Sequence, residues 1–187
     1  MITTEEYKQM QAYARIDGVF LAVIWIGSFA CYIAGLTSPL TGMLASLSAI
    51  ASPFFVANRL KIFRSIASEN NLSLMRGAAY YLMVFFYGSL LFAMAQFVYL
   101  AYLDNGYLFS TYMEVFQSDE AKSMLTAYGM NENEMKLLSR TMEELTPLDF
   151  SLNVLTMNIM IGALLSFPVA FYVTKTQHIS NDNNNNQ

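Results

Sequence analysis

The chain has 187 residues, 55% of them hydrophobic and only 13% charged, with a formal net charge of −4. A soluble domain carries nearer a quarter charged, so this balance speaks against a water-soluble fold and for a helical membrane protein. One cysteine, Cys31, excludes disulfides within a chain and thiol-rich metal sites, and the one histidine, His178, lies in a polar tail.

Residues 1–17 read as an amphipathic lead-in helix at the membrane surface. Thr3 and Glu6 have capping-box spacing, and Tyr7, Met10 and Ala14 recur at helical spacing. An uncharged run follows from Gly18 to Asn58, too long for one helix and cut at Gly35-Leu36-Thr37-Ser38-Pro39. It predicts two spans, about 18–36 and 40–58, joined by a tight turn. Acids stand beside bases before the first span and no cleavage point interrupts it, so a removable signal peptide is not expected. Trp25 falls mid-span and reads as packing. In the second span Gly42, Ala45, Ser46, Ala49 and Ser52 form a small-residue stripe, which suits close helix packing or, alternatively, a ligand groove. Pro53 is expected to kink this helix.

The next connection is the most basic: Arg59, Lys61, Arg64 and Arg76 against Glu69. Leu60, Phe63 and Ile66 share a helical face, so the second helix is expected to continue along the membrane surface as far as Asn70-Asn71. The third span, 77–103, has no formal charge over 27 residues, about 40 Å at 1.5 Å per residue, enough to cross a bilayer with tilt. Residues 104–149 then carry nine acids and three bases, a net of −6. Two amphipathic helices are expected in this cap. One runs from about Thr111 to Tyr128 and stops at Gly129. The other begins after Asn131, carries Met135, Leu138, Met142 and Leu145 on one face, and ends at Pro147. The methionines there (Met124, Met130, Met135, Met142) suit either core or adaptable contacts. A fourth span covers about 150–174, and 180–187 reads as a disordered Asn-rich tail. Residues 1–179 thus form a single membrane domain: an all-α, four-helix transmembrane bundle with an amphipathic N-terminal helix and an extracytoplasmic helical insertion between spans 3 and 4.

Lys and Arg accumulate on the cytoplasmic side. Arg59, Lys61, Arg64 and Arg76 are therefore the topology-determining residues. They place 59–76 inside, 104–149 outside and both termini in the cytoplasm. Inside the spans no ionisable group is expected, Asp17 standing at the edge of the first. The polar residues that remain are Ser89, Gln96 and Tyr99 on the third helix, with Asn153 and Asn158 on the fourth. Phe85, Ser89, Phe92, Gln96 and Tyr99 fall on one face, as do Asn158, Gly162, Ser166 and Ala170, and both faces should turn inward. Two readings follow for this polar cluster: a hydrogen-bond lock between Gln96 and Asn153 or Asn158, or a small polar pocket. The aromatic residues of the third span read as packing or as a lipid or quinone groove.

Several stretches resemble a bacterial family of small integral membrane proteins catalogued as domain of unknown function 4199. They are Tyr13-Ala14-Arg15-Ile16-Asp17-Gly18, Ser52-Pro53-Phe54-Phe55 before Arg59-Leu60-Lys61-Ile62-Phe63-Arg64, and Leu72-Ser73-Leu74-Met75-Arg76-Gly77-Ala78. Tyr87-Gly88-Ser89 and Ala95-Gln96-Phe97-Val98-Tyr99 complete the set. The resemblance implies a four-span protein of the bacterial inner membrane and supplies no catalytic residues. No metal set, Ser/His/Asp arrangement or phosphate loop is present, so neither an enzyme nor a cofactor is expected. The expected role is that of a non-catalytic structural, accessory or interaction component. Its partners are the lipid bilayer and a second copy or another membrane protein, with no nucleic acid. The alternative is a small-molecule or lipid transporter working as an oligomer, with its polar site near Gln96, Asn153 and Asn158.

Overall fold

A computed structural model describes residues 3–36, 38–67 and 72–185, without the side chains of 67 and 176–185. Its elements are α1 (Thr4–Gly35), α2 (Pro39–Ala67), α3 (Leu74–Tyr102), α4 (Tyr107–Gln117), α5 (Asp119–Ala127), α6 (Glu132–Glu143) and α7 (Pro147–Asn185), with no strand among the described residues. Four of these, α1, α2, α3 and α7, are long and apolar enough to span a membrane, and α3 is the most buried of them. The fold is an all-α membrane protein with four spans and a helical insertion before the last. The chain divides into two compact units, one of residues 1–93 with 154–187, the other of residues 94–153.

In the first unit α1 is continuous. Its Thr3–Glu6 capping box forms as the spacing predicts, but the lead-in does not lie apart on a surface. Met10 and Ala14 are fully buried with Leu60, Phe63 and Tyr80, because their apolar stripe is met by the extended ends of α2 and α3. The end of α2 behaves likewise. Leu60 and Phe63 are buried while Ile66 is exposed, so the apolar face is narrower than the spacing suggested. The expected stop at Asn70-Asn71 lies outside the described residues.

Close approach depends on small residues. A Cβ on Gly18 would stand 2.7 Å from the Cβ of Tyr87, and one on Gly162 would stand 2.5 Å from the Cβ of Phe85. Both contacts draw a helix onto α3. Trp25 is buried, edge-on to Phe85 at 5.6 Å and tilted on Phe92 at 5.7 Å, so it packs as expected. Pro53 lies inside α2. A proline removes the N–H that would reach the carbonyl four residues back. That carbonyl, Ala49 O, instead accepts from the Ser52 hydroxyl at 2.7 Å.

In the second unit the helix expected over 111–128 is two helices. Ser118 adopts an extended conformation between α4 and α5 and caps α5 by accepting from Ala121 N. Gly129, at φ +88°, follows α5 in the left-handed region that glycine tolerates. The capping box of Asn131 and Glu134 forms and starts α6. Pro147 does not end a helix but begins α7, where its missing N–H costs nothing. Thr146 and Asp149 cap that start reciprocally. At the other end α7 runs to Asn185 and takes in most of the expected disordered tail. Extending a formed helix adds a hydrogen bond for each residue fixed, so propagation into a polar segment is cheap.

Candidate functional site

The site with the most chemistry lies in the first unit, where the charged end of α1 meets its uncharged run. Asp17 is 2% exposed. Arg59 of α2 reaches it with Nε and Nη2, each 2.6 Å from Asp17 Oδ1, and the Tyr80 hydroxyl of α3 donates to Oδ2. One carboxylate thereby ties three helices together. Phe63 stacks on Tyr80 with centroids 4.4 Å apart, and Tyr13 meets Phe63 edge-on at 5.6 Å. The Arg59 guanidinium also stands 5.9 Å from the Phe20 ring.

A second polar strut lies beside it. Arg76 is 6% exposed, with Nη1 3.1 Å from Glu6 Oε1 and Nη2 3.3 Å from Gln9 Oε1. Its guanidinium sits 5.5 Å from the Phe63 ring. Arg64 donates from Nη1 to the Val173 carbonyl of α7 at 2.6 Å. Of the four basic residues read as setting topology, Arg59 and Arg76 are therefore paired inside the protein, Arg64 binds a neighbouring helix and Lys61 is exposed over Tyr172. From the sequence Asp17 stands at an edge with no role, Glu6 serves only the capping box, and Tyr80 has no polar role. The partners lie 42 and 63 residues from Asp17, and such pairing leaves no periodic trace. A charge standing at the mouth of an apolar run, with tyrosine and arginine at two other span ends, was the available signal.

Of the expected polar cluster, Ser89 and Asn158 belong to the first unit and Gln96, Tyr99 and Asn153 to the second. The faces expected to turn inward are buried except at Tyr99 and Asn158, which are half-buried. Phe85, Ser89, Phe92 and Gln96 are buried, as are Gly162, Ser166 and Ala170. Ser89 donates to Phe85 O of its own helix at 2.6 Å. In the second unit Gln96 is 3% exposed and its Oε1 has no hydrogen-bond partner, while Asn153 is exposed. Tyr99 is half-buried near Asp104. Asn158 belongs to the first unit, where it lines a groove of about 280 Å³ with Trp25, Ser28, Ser46, Ala49 and Phe92. The small-residue stripe thus serves two ends. Ser52 is buried in packing, and Ala45, Ser46 and Ala49 border this groove.

The family model for a protein of unknown function, DUF4199, matches residues 17–175. The chain belongs to this DUF4199 family. No curated protein and no solved structure matches it. The matched stretch opens at Asp17 and includes Arg59, Tyr80 and Arg76, so the carboxylate knot lies wholly within the DUF4199 region while Glu6 and Gln9 precede it. Both oxygens of Asp17 are engaged by donors from neighbouring helices, Oδ1 by Arg59 and Oδ2 by Tyr80.

Proposed function

We propose that the protein is a non-catalytic, multi-pass component of the bacterial inner membrane, acting as an accessory or interaction partner. Both termini face the cytoplasm and residues 104–149 face outward as the contact surface. The observation that supports this reading most is how polar groups are used. In the four-helix unit Asp17, Glu6, Arg59 and Arg76 are committed to one another or to Tyr80 and Gln9. In the second unit, by contrast, α4, α5 and α6 border an open groove of about 670 Å³ lined by Phe116, Met130, Met135, Lys122 and Lys136. Neither lysine is in an ion pair among the described residues. Grooves of this size lie in the range that ligands and anchor side chains occupy.

Crosslinking in intact membranes, read by mass spectrometry, tests the proposal. Crosslinks from Lys122 or Lys136 to a recurrent membrane partner or a second copy are expected. Their absence, with crosslinks confined to the chain itself, overturns it. Single-cysteine labelling in a Cys31→Ser background tests the orientation: a cysteine replacing Lys122 should label from outside, and one replacing Lys61 only after permeabilisation.

Gln96 favours a second reading. Its buried, unpartnered Oε1 suits a polar site of a transporter assembled as an oligomer. That reading requires a Gln96→Leu variant to lose uptake or growth while remaining folded.

A further inference from the structure

The basic end of the four-helix unit divides its cations into two sets. Arg59 and Arg76 are matched by Asp17 and Glu6. On the seam of α2 and α7, Lys61, Arg64 and Lys175 each touch α7 residues 171–173 and have no acid partner among the described residues. Lys61 Nζ lies 5.5 Å from the Tyr172 ring, Lys175 Nζ 5.9 Å from the Phe171 ring, and Arg64 reaches Val173 O. The Arg64 Nε is buried with no partner. Phe171 and Tyr172 are themselves 57% and 63% exposed, and Phe167 and Leu164 one and two turns further along α7 are exposed as well. This seam is therefore apolar along its length and cationic at its end. Lysine and arginine placed this way keep their stems on apolar surface and their charge at headgroup depth.

We propose that the α2–α7 seam is a binding site for the phosphate of an anionic phospholipid, with Lys61 and Lys175 as its principal contacts and Arg64 at its base. The acyl chains lie along the exposed face of α7 below Phe171, and the phosphate occupies the space between the two ammonium groups. Three cations with no counter-charge among the described residues favour an anion here, and an anionic headgroup is the group that a bilayer supplies at that depth. A freely diffusing phosphate satisfies the cations but covers none of the apolar seam. The site needs only the membrane and the seam, and stands whichever side of the bilayer the basic end faces.

The test uses the full chain, extracted in a neutral maltoside detergent and offered equal amounts of phosphatidylglycerol and phosphatidylcholine. Native mass spectrometry counts the lipid retained. Phosphatidylglycerol is expected to be retained about tenfold over phosphatidylcholine. A Lys61→Gln, Lys175→Gln double variant should lose that preference, whereas Arg15→Gln, an exposed cation beside Tyr87 on another face, should keep it. Arg64 is left intact because its bond to α7 supports the fold, and a melt of each variant in the same detergent checks folding. Equal retention of the two lipids overturns the proposal, as does an undiminished preference in the folded double variant. Displacement of the lipid by millimolar inorganic phosphate also overturns it, since the site then takes a free anion.

Discussion

At the scale of single residues, the Asp17 carboxylate concentrates more consequence than any other group. Removing one partner of a buried pair leaves the other charge uncompensated, at a cost on the order of 3–5 kcal/mol when both are dry. The Arg59 side chain keeps 27% exposure, so water relieves part of that cost. Asp17→Asn is expected to destabilise the protein by about 3 kcal/mol or somewhat less. A double-mutant cycle with Arg59→Gln should show coupling above about 0.5 kcal/mol in denaturant unfolding from detergent, and additive costs would show that the pair is not formed. Gln96 predicts the opposite sign. A buried acceptor without a partner carries a penalty of about 1–3 kcal/mol, and leucine removes the acceptor at similar volume. Gln96→Leu should therefore leave the melting temperature unchanged or raise it. A clear fall would mean that the amide is bonded after all, and would restore the hydrogen-bond lock that the sequence suggested.

At the scale of helices, packing against α3 sets what each element tolerates. Gly162→Ala forces a Cβ to 2.5 Å from Phe85 Cβ, and Phe85 is itself fully buried by Tyr81 and Trp25. Overpacking of this kind costs about 1–3 kcal/mol. Gly27→Ala meets nothing within 4 Å and should gain a few tenths to about 1 kcal/mol from helix propensity. Opposite shifts in the melting temperature of the two variants are expected, and equal losses would contradict the packing described. Elements of this kind were largely legible in advance. Uncharged length revealed the four spans, Asn131 with Glu134 revealed the start of α6, and the spacing of Phe85, Ser89, Phe92 and Gln96 revealed the inward face. What was not legible depended on choices between two allowed outcomes. Pro147 suits a helix start as well as a stop, and Thr146 with Asp149 decides for the start. Ser118 suits a helix interior or a cap, and here it caps. The surroundings of Gln96, Asn153 and Asn158 had no local cause to read, since rotation and depth of each helix follow from distant contacts.

At the scale of the whole molecule, charge is sorted by use. One share of the positive charge, Arg59 and Arg76, is internal and fastens helices. Another, Lys61 and Lys175, is exposed beside aromatic rings. Counting lysines and arginines along the sequence gives the same weight to both, although the first share is already matched by acids of the same chain. The acids divide in the same way. Asp17 is consumed in the knot, while the 104–149 segment keeps its net −6 over 46 residues.

The continuous run of α1 carries one more consequence, for where the protein can be cut. The stretch by which the family is recognised starts at Asp17. Yet Met10 and Ala14 are core residues, and Glu6 and Gln9 hold Arg76. A chain begun at Asp17 keeps the uncharged run of every span and loses the start of α1, where Met10 and Ala14 pack with Leu60 and Phe63. It is expected to melt well below the full chain in the same detergent, and trypsin should spare Lys8 and Arg15 in the intact protein until it unfolds. The smallest durable piece of this molecule is longer than its recognisable one.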